Sequence, residues 1–76
     1  MTIREAAAQF GTKVMKASSG DNITTLVDRI YKSRDDLYFM ILQTLNNRLD
    51  WDMVEADASI LYIPKLYCTE IYEITS

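Results

Sequence analysis

A lone cysteine, Cys68, in a chain of 76 residues without a histidine is the feature that most restricts what can form here. A domain this small buries only about 60% of the surface its unfolded chain exposes, and many such domains depend on a disulfide or a metal. One thiol closes no internal disulfide, and without an imidazole beside it there is no cysteine/histidine zinc site. The core must come from packing alone. With 49% apolar and 25% charged residues, a folded chain is expected rather than a disordered one. The missing histidine also removes the commonest general acid/base and metal ligand. We therefore expect a protein that is not an enzyme, and assign no catalytic residue, no cofactor and no metal.

Charge narrows the partners. Eleven acidic against eight basic residues give a net charge of −3, the wrong sign for a chain that grips phosphate, so no nucleic-acid partner is expected. The excess is uneven. Residues 1–20 carry Arg4, Lys13 and Lys16 against Glu5, whereas the remainder carries ten acids and five bases. Nowhere is there a run of roughly 18 apolar residues, so no membrane span is expected. The segment MTIREAAAQFGTK lacks the apolar stretch of a secretory signal.

Periodicity places the elements. Residues 2–9 favour helix through their alanines but are too few to hold one unaided. After Gly11, residues 12–17 read as a short strand, with Met15 and Ala17 on one face and Val14 and Lys16 on the other. The cluster Ser18-Ser19-Gly20-Asp21-Asn22 is a turn whose Asp21 or Asn22 caps a helix. Ile23, Leu26, Val27 and Ile30 then form one apolar stripe. A second helix is predicted from Ser33, with Ser33 and Asp36 in a capping-box pattern. Leu37, Tyr38, Met40, Ile41, Leu42 and Leu45 make it apolar over most of its circumference, so it needs cover on two sides. Asn46-Asn47 stop it. Residues 48–58 form a loop around Trp51 and Met53, residues 59–63 a strand, and Pro64 ends that strand. Residues 66–74, LYCTEIYEI, have the aromatic and β-branched character of another strand.

The expected fold is α+β, of βααβ type. A two-stranded antiparallel sheet carries two helices on one face, with an N-terminal stub and a C-terminal strand-like extension. The division is an N-terminal arm over 1–11, a domain over 12–65 and an extension over 66–76.

The ordered set Gly20-Asp21-Asn22-Ile23, Ile30-Tyr31, Asp36-Leu37, Leu45-Asn46 and Ile60-Leu61-Tyr62-Ile63-Pro64 resembles a LysM domain across residues 13–65. A typical LysM module opens on a Gly-Asp-Thr-Leu turn and closes on a strand ending in Ile-Pro. The bulky second helix and the insert before it are more similar to the small LysM-like proteins of phage tails and baseplates, the tail protein X group. That resemblance implies a structural adaptor of the virion. It would be made in the host cytoplasm and dock onto larger tail or baseplate proteins, several copies to a symmetric assembly. The alternative it implies is a module that binds peptidoglycan or chitin, with glycan-binding residues Gly20, Asp21, Asn22 and Ile23.

Surplus apolar surface marks the candidate partner interface: Phe10, Trp51, Met53, Tyr67, Ile71 and Tyr72. Trp51 fits three uses: a core anchor, a platform for a sugar ring, or an interface hot spot. The tail fits two: a third strand of its own sheet, or a strand added to another chain. Asp50, Asp52, Glu55 and Asp57 read as a solvated acidic loop, since they lack the spacing and glycine of a calcium loop. Cys68 reads as a small buried hydrophobe.

Overall fold

In a computed structural model, which describes residues 1–48 and 50–72, the chain runs α1 (Ile3–Phe10), β1 (Lys13–Lys16), α2 (Ile23–Tyr31), α3 (Asp36–Leu45), β2 (Ser59–Tyr62) and a 3₁₀ helix (Lys65–Glu70). The expected α+β arrangement is present: β1 and β2 pair antiparallel, Val14 opposite Leu61 and Met15 opposite Ile60, and the helix pair lies between them in sequence.

Helices α1 and α2 have side-chain caps at their starts, and each of the three helices has an apolar face to bury. In α2 the Asn22 side chain accepts the Thr25 N–H at 2.9 Å, and the Thr25 hydroxyl oxygen accepts the Asn22 N–H at 2.9 Å. These reciprocal bonds satisfy two backbone donors at the helix start. Lys32, at φ +55, ends α2 in the left-handed region. Leu26, Val27 and Tyr31 of α2 are fully buried. So are Ile41 and Leu42 of α3, Ile60 of β2 and Ile63 just beyond it. Helix α3 packs on α1, α2 and β2 together, which accounts for a helix apolar nearly all round.

The start of α3 differs from expectation. The helix opens at Asp36 behind Asp35 without a side-chain cap, and Ser33 accepts the Asp35 N–H at 3.3 Å instead of closing a box with Asp36. The intervening Arg34 clasps Asp28 of α2 at 2.9 Å, which holds residues 33–35 out as a connection.

The ends of the chain depart further. The N-terminal stub is a full helix. Thr2 and Glu5 cap it reciprocally, and Ile3 and Ala6 are completely buried against the rest of the core. Tertiary cover supplies what eight isolated residues lack. The strand-like C-terminal extension is corrected: Lys65–Glu70 is a 3₁₀ helix. Pro64 at φ −53 leads into it, and a three-residue turn brings Cys68 and Ile71 onto one inward side, where both are buried. A strand would put those two on opposite faces. Glu73 and Ile74, at the end of the strand-prone run, lie outside the described residues. The two ends meet: the Met1 ammonium donates to the Glu70 carbonyl and the Tyr72 N–H donates to the Met1 carbonyl, both at 3.0 Å. One hydrophobic cluster therefore runs from Ile3 to Ile71, through segments the sequence assigns to an arm and an extension.

Candidate docking surface

Gly20, Asp21, Asn22 and Ile23, the glycan-binding residues of the alternative reading, form the turn into α2. Gly20 takes φ +86, a conformation that only glycine adopts without strain. It swings Asp21 inward, where 5% of the residue is exposed. The Asp21 carboxylate accepts both terminal nitrogens of Arg29 at 2.8 Å, the Thr25 hydroxyl at 2.9 Å and the Ser18 N–H at 2.8 Å. The Arg29 guanidinium, with the Ser18 and Thr25 donors, holds this carboxyl far below the usual carboxylate range, outweighing the effect of burial. The Asp21 carbonyl accepts the Val54 N–H at 2.7 Å, and the Ile23 N–H donates to the Trp51 carbonyl at 3.1 Å. Asp21 and Ile23 thus clasp the start of α2 to the loop before β2, while Asn22 caps the helix.

That loop is ordered by its own charges. Arg48 grips Glu55 with two bonds, 3.0 and 2.9 Å, and lies 5.6 Å from the centre of the Trp51 ring. The guanidinium brings the Glu55 carboxyl down to about 2. Asp50 accepts the Asp52 N–H at 2.9 Å. Trp51 is half-buried against the core with Arg48 over its ring, so of its three readings it takes part of the anchor's. Met53, 72% exposed, points away from all of this.

The other interface candidates separate. Phe10 and Tyr67 are both half-buried and stack on each other, ring centres 4.5 Å apart and planes 7° from parallel, tying α1 to the 3₁₀ helix. Ile71 is buried and packs in the core. Tyr72 is 78% exposed and Leu66, not singled out from sequence, is 76% exposed. Phe10, Tyr67 and Ile71 hold the ends down, while Met53 and Tyr72 remain outside.

Three further residues matter that sequence reasoning did not assign to any surface. Asn46, 92% buried by the complement of its 8% exposure, donates Nδ2–H to the carbonyls of Leu42 (2.8 Å) and Leu61 (2.9 Å) and accepts the Leu61 N–H at 2.8 Å. Tyr31, buried and sandwiched by Tyr38 at 4.3 Å, donates its hydroxyl to the Ile63 carbonyl at 2.8 Å. Val14 in β1 is 55% exposed. Cys68 is buried, as expected, and burial raises its thiol to about 11. Such a thiol is a poor nucleophile at neutral pH.

Among the described residues no helix is long and apolar enough to cross a membrane. Comparison of the chain with protein-family models, with curated proteins and with solved structures returns no match.

Proposed function

We propose that this chain is a structural adaptor without catalytic activity, a LysM-like module that docks onto larger proteins of a phage tail or baseplate. The observation that supports the reading is apolar surface left over after folding. The core is closed from Ile3 to Ile71, yet Val14, Met53, Leu66 and Tyr72 each stay more than half exposed. In a chain of this size such side chains suit contact with another protein, where aromatic residues and methionine are enriched. The tail setting is proposed on the resemblance across residues 13–65, with which the βααβ order agrees.

The test is composition. Mass spectrometry of purified particles should find the protein in fixed copy number. Detection in infected cells but not in particles would overturn the virion reading. Titration with chitin oligomers, followed by amide NMR, should leave Gly20 to Ile23 unmoved, and localised shifts there would replace the adaptor with a glycan-binding module.

A further inference from the structure

The sheet has two outer edges, and they differ: that of β2 is capped at Leu61, whereas that of β1 carries no such cap among the described residues. On the outer side of β2, Leu61 turns its N–H and C=O to the Asn46 carboxamide. Opposite residues in an antiparallel ladder either bond to each other or both point away. Leu61 points away from β1, so its partner Val14 points its own N–H and C=O away from β2. Ala17 fixes the same alternation independently: it donates to the Ala58 carbonyl at 2.9 Å and accepts the Asp57 N–H at 2.8 Å, facing β2. Residues of the opposite parity, Val14 and Lys16, face outward, and among the described residues nothing bonds their backbone groups.

We propose that this outer edge of β1 takes an extended, acidic segment of a partner protein as a third strand. The proposal deepens the adaptor reading and rests on it. Charge selects the occupant. Lys13 and Lys16 are both exposed, and no carboxylate occurs in the sequence between Glu5 and Asp21, although the chain as a whole carries −3. Lys13 and Lys16 lie on opposite faces of the strand, so an incoming strand with a carboxylate on each face meets both ammonium groups, while its backbone completes the bonds of Val14 and Lys16. A second copy of β1 is the wrong occupant, because it would gather four ammonium groups on one short ribbon.

The probe is a blocked heptapeptide of paired glutamates and paired valines, which carries carboxylates on both faces when extended, titrated into the isotope-labelled full chain, with the lysine-for-glutamate peptide as control. The acidic peptide should shift the Val14 and Lys16 amides and slow their hydrogen exchange at least about tenfold. The basic peptide should do neither. The double change Lys13→Glu with Lys16→Glu, exposed and neutral to the core, should exchange the preference between peptides. Val14→Pro should abolish binding, since it removes an outward donor; the remaining amide spectrum reports whether that variant is folded. The proposal falls if the acidic peptide leaves those two amides unmoved at millimolar concentration, if both peptides bind alike, or if the shifts centre on Trp51 and Met53. Because the titration uses no virion component, loss of the edge leaves particle composition to decide the adaptor reading, and the reverse holds as well.

Discussion

The two edges of one small sheet are finished in opposite ways. Along β2, a side chain fifteen residues away imitates a neighbouring strand: Asn46 gives and receives as a backbone would. Tyr31 adds a third latch just past the strand, at Ile63. Along β1 there is no such imitation among the described residues, only two lysines and an exposed valine. A sealed edge makes the fold stable, whereas a charged open edge resists self-association without giving up its bonding groups. The same four residues therefore remain in solution as a strand and remain able to accept another.

The largest break in this comparison should come from Asn46→Ala. It strands both Leu61 groups and should cost about 3 kcal/mol, read as a shift in the urea midpoint. It should also turn the exchange of the Leu61 amide from slow to fast. Next comes Asp21→Asn, which keeps the shape of the clasp at the far end of the sheet but loses the charge facing Arg29. About 2 kcal/mol is expected at neutral pH. The sign with pH follows from the depressed carboxyl: its contribution is complete above the unfolded value near 3.9 and disappears as pH falls through the lower folded value. The stability gap between wild type and variant should hold from pH 7 to about 5 and narrow progressively below about 4. Tyr31→Phe removes one buried donor from Ile63 and should cost about 1 to 2 kcal/mol. Smallest is Lys16→Ala on the open edge. It loses only an exposed bond to Ser59, and its unfolding curve should match wild type within about 0.5 kcal/mol. A loss as large as that of Asn46→Ala would show that the β1 edge is load-sharing in the free protein and end the contrast.

Much of the central fold is legible in the sequence because its signals are local. Ile23, Leu26, Val27 and Ile30 repeat at helical spacing, Asn22 stands where a cap belongs, and Pro64 closes β2. The ends are harder to read because local pattern and packing disagree there. LYCTEIYEI has strand composition, but Cys68 and Ile71 lie three apart, the repeat of a 3₁₀ turn, and burial of that pair decides the outcome. The N-terminal helix carries a legible signal, Thr2 and Glu5 at capping-box spacing, beside a length that argues against it. For the surface, exposed Met53 and Tyr72 follow from composition. The role of Asn46 does not, because a helix-stopping asparagine and a strand-sealing one are written the same way. The difference is a contact across fifteen residues, and no local pattern encodes it.

The meeting of Met1 with Glu70 and Tyr72 carries its own consequence. The described chain enters and leaves at one point, so its path is nearly a closed ring. A short linker between those positions, with a new opening cut elsewhere, should return the same fold from a permuted sequence. The whole unit should also tolerate being carried as an insert in the loop of a host protein, because both attachment points fall side by side.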